Sequence, residues 1–128
     1  MKFAMLLTAT LLAAPAAAQD VDCKNPITQM DMNICAGNDY QAADKMLNSA
    51  YAKLIAALDD AGLKAKLKAA QRSWISFRDK ECIFETAGSE GGSIHPLEYA
   101  GCMNKLTKER TKAIEALAAC QKNAETCE

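Results

Sequence analysis

One histidine, His95, in 128 residues leaves no two-histidine metal site. The chain contains no Cys-x-x-Cys, which removes thiol–disulfide exchange of the thioredoxin kind. No stretch alternates apolar and polar residues well enough to make a strand, and nothing repeats. An excess of one charge is also missing. Against 16 Asp+Glu stand 15 Lys+Arg, and that balance makes no electrostatic case for nucleic acid or for a polybasic membrane contact. The apolar run over residues 3–12 is too short to span a bilayer and has no stop-transfer partner. Neither a cofactor nor a metal is expected.

That run instead reads as the core of an export signal. Lys2 supplies a positive start, Pro15 breaks the run, and Ala16-Ala17-Ala18 offers the small-x-small pattern of a cleavage site. Residues 1–18 are therefore set apart as a leader, and residues 19–128 are expected to form one soluble, exported domain without membrane insertion. Losing Lys2 with the leader moves the net charge from −1 to −2. All six cysteines lie downstream of the leader: Cys23, Cys35, Cys82, Cys102, Cys120 and Cys127. In an oxidising compartment such as the periplasm or the exterior they read as three disulfides.

Apolar residues recur at helical spacing. Asn25-Pro26 reads as an N-cap with Pro at the first helical position, opening a short helix that Gly37-Asn38 ends or kinks. Asp39 then caps a second helix, with a stripe through Tyr40, Ala43, Leu47, Ala50, Tyr51, Leu54 and Leu58. Asp59-Asp60-Ala61-Gly62 makes a turn. The next stripe runs through Leu63, Leu67, Ala70, Trp74, Phe77 and Phe84. Three glycines and a proline mark residues 87–96 as an exposed loop. A last helix starts near Pro96 and carries Tyr99, Met103, Leu106, Ile114 and Leu117. The expected fold is all-α: a small disulfide-stapled antiparallel bundle of three to four helices. Counting back from the turn gathers Cys23, Cys35, Cys82 and Cys102 at the loop end. Three pairings of these four remain open. The one preferred is Cys23–Cys82 with Cys35–Cys102, leaving Cys120–Cys127 as a clip on the tail.

Several polar residues fall on or beside these stripes. Asp44, Asn48 and Tyr51 share a face; Gln71, Trp74, Arg78 and Asp79 lie on neighbouring faces of the next helix; Thr107 and Arg110 lie on the last. A buried arginine needs a carboxylate, and Asp44 and Asp79 are available. The set is expected to be an internal polar network that fixes helix docking, with a polar ligand pocket as the competing interpretation.

The same residues carry a resemblance. Asp22-Cys23-Lys24-Asn25 followed by Thr28 to Ala36, then Ala43-Asp44, Leu47-Asn48 and Tyr51, then Gln71-x-x-Trp74-x-x-x-Arg78-Asp79-x-x-Cys82, Gly91-Gly92-Ser93, Cys102 and Thr107-x-x-Arg110 together resemble the LprI-like lysozyme inhibitor family across residues 22–117. Cys120, Cys127 and the tail lie outside that pattern. The resemblance implies a helical, disulfide-stapled protein of the bacterial cell envelope, and lysozyme as a protein partner.

A lysozyme inhibitor has to block a cleft that holds two catalytic carboxylates. The candidate contact is the glycine loop, with Ser89, Ser93 and His95 as polar groups and Gly91-Gly92 baring the backbone. An enzyme is disfavoured, because Ser93 lies in a helix–helix loop without the context of a nucleophile elbow. The alternative function is a small-ligand-binding or structural envelope protein of the same fold.

Overall fold

The computed structural model describes residues 21–122, so the expected leader and Cys127 lie outside the described residues. Three helices follow one another: α1 (Gln29–Ala57), α2 (Ala61–Glu85) and α3 (His95–Lys122), with a single 3-10 turn at Ala87–Ser89 between the last two. Consecutive helices run antiparallel, so α1 and α3 run parallel and form the closest helix pair. Small side chains permit that approach: Ala43 and Ala50 of α1, and Thr107 and Thr111 of α3, are all buried.

Two expectations for the first helix are corrected. Its N-cap is Thr28, not Asn25. The Thr28 hydroxyl accepts from the Asp31 amide at 3.1 Å and the Asp31 carboxylate accepts from the Thr28 amide at 3.0 Å, closing a capping box. Those bonds hold the Asp31 carboxyl below its usual range. The helix also runs unbroken through Gly37-Asn38. A lone glycine costs a helix about 1 kcal/mol, which the long flanking segments outweigh. At the far end, the chain turns at Asp59–Gly62 as expected, and Asp60 within that turn caps α2 through the Leu63 amide.

The disulfides overturn the preferred pairing. Residues 21–28 fold back along the first two turns of α1, so Cys23 meets Cys35, with Cα atoms 5.4 Å apart. Cys82 on α2 faces Cys102 on α3, 5.6 Å between Cα atoms. Cys23–Cys82 and Cys35–Cys102 do not form. Cys120 is also disulfide-bonded, while its expected partner Cys127 lies outside the described residues.

The core has two parts. Leu47, Ala50, Leu54, Leu58 and Ile114 form the larger, with Leu67 and Trp74 packed against it. Cys82, Cys102 and Met103 form the smaller, beside Tyr40 and Tyr99 at the loop end. Each fully buried Leu or Ile contributes about 1.5–3 kcal/mol. The α2 stripe fits less well than the sequence suggests. Phe77 is 52% exposed, Phe84 78% and Leu63 46%, and Leu117 of α3 is 46% exposed. In their place Gln71 and Arg78 are the buried residues of α2, together with Cys82, because α2 meets its neighbours through polar side chains.

Candidate functional site

Arg78 is the centre of the interior polar cluster. Its side chain is 7% exposed. The guanidinium holds Asp79 through Nε at 2.9 Å and Nη2 at 2.8 Å, and Nη1 donates to Asp44 at 3.4 Å and to the Thr107 hydroxyl at 3.3 Å. It also lies 5.5 Å from the Tyr40 ring centre and 5.2 Å from that of Trp74, within cation–π range. Asn48 steadies Asp44 with a 3.0 Å bond. Among the described residues Arg110 pairs with no carboxylate. Its Nε donates to Gln71 at 2.9 Å, and its guanidinium lies 5.7 Å from the Trp74 ring centre. Desolvation lowers the Arg110 guanidinium and raises the Tyr40 phenol, the latter opposed by Arg78.

Eight of the nine residues singled out on the stripes thus join one network that bridges all three helices. Tyr51 stands apart. With Asn48, Gln71, Arg72 and Ile75 it lines an open depression of about 280 Å³ between α1 and α2. Arg78 does not line it, so the charges at the centre of the network are spent on one another. Tyr40 is a member the sequence did not single out, although it lies four residues before Asp44 and thus on the same helix face.

The loop between α2 and α3 is a compact turn. The Thr86 hydroxyl donates to the Cys82 carbonyl at 2.7 Å, and the Ser89 hydroxyl donates to the Thr86 carbonyl at 3.1 Å. Ser89 Oγ also lies 3.2 Å from His95 Nδ1, and His95 stacks on Tyr99 with ring centres 6.1 Å apart. Gly91 has φ +79°, and a side chain on Gly92 would meet the Ser89 carbonyl at 3.0 Å, so both positions need glycine. Asn33 of α1 donates to the Ser93 carbonyl at 3.0 Å, a tie for which helical spacing offers no signal. The Cys82–Cys102 bridge closes the loop at its roots.

Among the described residues, the amides of Gly91, Ser93 and Ile94 make no hydrogen bond, and all three residues are exposed at the N-terminus of α3. Ser89 and His95, by contrast, use their side chains within the loop. Exposed apolar side chains surround this end: Ile27, Met30, Ile83 and Phe84 are 60% or more exposed, and Ile94 is 42%.

Charge is divided between the two ends of the bundle. Leave aside Arg78, Arg110, Asp44 and Asp79, which occupy mid-height. The loop end, residues 21–42 and 80–105, then carries seven acidic and three basic side chains, net −4. Beyond mid-height, residues 46–77 and 111–121 at the opposite end carry three acidic and six basic side chains, net +3. Among the described residues no group of three His, Cys, Asp or Glu side chains is placed to hold a metal, and no helix is long and apolar enough to cross a membrane.

Known proteins resemble the chain along most of its length. An uncharacterized protein of Rhizobium meliloti (strain 1021), R02472, is 40% identical over 118 residues, covering 81% of this chain and 85% of its own. The uncharacterized protein YecT of Escherichia coli (strain K12) is 27% identical over 142 residues, with coverage of 87% and 88%. The crystal structure of a DUF1311 family protein from Pseudomonas putida KT2440 aligns with a TM-score of 0.68 at 28% identity, over 72% of this chain and 95% of that one. The family described as lysozyme inhibitor LprI matches residues 22–114, a span that takes in the Cys23–Cys35 and Cys82–Cys102 bridges, the Arg78 network and the glycine loop. The chain belongs to the LprI lysozyme inhibitor family.

Proposed function

We propose that this chain is a secreted or periplasmic inhibitor of lysozyme, and that its loop end enters the muramidase cleft. The observation that carries this reading is the set of three unused amides on the exposed residues Gly91, Ser93 and Ile94. They sit at the positive end of the α3 dipole, where carboxylates are favoured. A lysozyme cleft offers two carboxylates. The turn is held by Thr86, Ser89, His95 and Asn33 and closed by a disulfide, so little conformational freedom is lost when it docks. The net −4 of this end favours encounter with a basic lysozyme, and Phe84, Ile83 and Ile94 provide apolar surface around the tip. Disulfides suit the oxidising compartment in which such an encounter occurs.

A titration tests the function. Oxidised protein lacking its expected leader, residues 19–128, is added to hen-type, invertebrate-type and goose-type lysozymes acting on a cell-wall substrate. At least one type is expected to be inhibited, saturating near one inhibitor per enzyme, with inhibition lost on disulfide reduction. Absence of inhibition with all three contradicts the proposal.

A further inference from the structure

The end of the bundle away from the loop gathers charge that the net value of the chain conceals. Lys53, Lys66, Lys68, Arg72 and Lys112 are all exposed there, and the described residues of this end have net charge +3. The exposed Asp59 and Asp60 of the α1–α2 turn are the acidic groups at its tip. Leu63 and Leu117, each 46% exposed, lie at the same end. Leu63 is one turn beyond the core residue Leu67, and Leu117 adjoins Ala118, which also packs on the core.

We propose that this basic end docks on an anionic phospholipid surface, so that the molecule rests on a membrane with its loop directed away. Each Lys or Arg held near such a surface adds to the attraction. Six basic side chains against three acidic ones suit weak, reversible attachment that fades as salt is raised. The loop end, at net −4, is repelled by the same surface, and this sets the orientation. The exposed leucines favour a bilayer over a soluble polyanion, because apolar groups gain by entering the headgroup boundary and gain nothing on a phosphate backbone. Attachment is peripheral, since no described helix can span.

Vesicle sedimentation tests the proposal. Oxidised protein is mixed with phosphatidylcholine vesicles that either contain one third phosphatidylglycerol or lack it. Binding is expected to be at least about tenfold tighter to the anionic vesicles and to weaken steeply as salt is raised. The triple charge reversal K66E/K68E/R72E, at exposed positions, is expected to reduce that binding by about tenfold or more while leaving the helical melt in place. Reversing Glu85 and Glu90 at the other end, E85K/E90K, is expected to leave it intact. Equal binding to both vesicle types overturns the proposal, as does no binding to the anionic ones. Capture by duplex DNA without vesicle binding also overturns it, and would assign the end to soluble polyanions. Inhibition of lysozyme does not enter any of these readouts, so this inference and the proposed function fail separately.

Discussion

Replacing Cys82 and Cys102 together by Ala is expected to lower stability by about 3 kcal/mol, the chain-entropy cost of opening a loop of roughly 20 residues. For a domain of this size that amounts to a fall in Tm of roughly 15 °C. Cys82 is fully buried and Cys102 is 8% exposed, within the smaller core cluster with Met103, so the thiols also leave a packing defect. The bridge spans the roots of the glycine loop, and its loss should weaken any contact made by the tip beyond what global unfolding explains. The Cys23–Cys35 pair closes only 12 residues over the first turns of α1, and removing it should cost less. Thermal melts of the two double variants check the order. Equal losses would contradict the assignment of the loop-closing role to Cys82–Cys102.

The second large effect is expected at Arg78. Truncation to Ala removes a guanidinium that touches Asp44, Asp79, Thr107, Tyr40 and Trp74, and empties a site that is 6% exposed. A loss of about 3 kcal/mol is expected. Replacement by Leu should be milder, about 1 kcal/mol. Leu refills the space, and the Asp44 and Asp79 side chains, 39% and 43% exposed, can return to water. Denaturant melts of the two variants measure the difference. A loss at R78L as large as at R78A would mean that charge pairing, and not packing, holds the three helices together at this level.

Parts of this fold are legible in the chain for local reasons. Asp60 caps α2 and the Asp-Asp-Ala-Gly string turns the chain, because capping and turn chemistry act within four residues. The Ala43, Leu47, Leu54, Leu58 stripe is buried, because periodicity alone picks the inner face of a long helix. Gly37-Asn38 misleads for the same reason of locality: a break signal worth about 1 kcal/mol loses to a helix of 29 residues. The disulfide pairing turns on the start of the helix: α1 begins at Gln29, and residues 21–28 fold back along its first two turns, so Cys23 meets Cys35.

The site is legible in its membership more than in its layout. The spacing of Asp44, Arg78 and Thr107 selects the network, yet it cannot say that Arg78 takes both carboxylates and leaves Arg110 to Gln71 and Trp74. Phe77 and Phe84 lie on one helical face, and a helical pattern does not distinguish an aromatic stripe that enters a core from one that stays at the surface. The division of charge is hidden for a geometric reason. Antiparallel α2 places the acidic Glu81–Glu85 stretch beside the acidic start of α1, and its basic Lys64–Arg72 stretch beside the lysines of late α3. A near-zero sum along the chain becomes two opposed ends in space.

The central claim is that the tip of the loop meets the catalytic carboxylates of lysozyme. Ser93→Glu tests it most directly. Ser93 is exposed and bonds Asn33 only through its carbonyl, and a carboxylate near the N-terminus of α3 suits the helix dipole, so the fold is retained. The same carboxylate would face the two carboxylates of the cleft. With circular dichroism melts matched, the inhibition constant of S93E against the susceptible lysozyme is expected to rise by about tenfold or more over that of the unaltered protein. An unchanged constant would contradict the account and move the contact away from this loop.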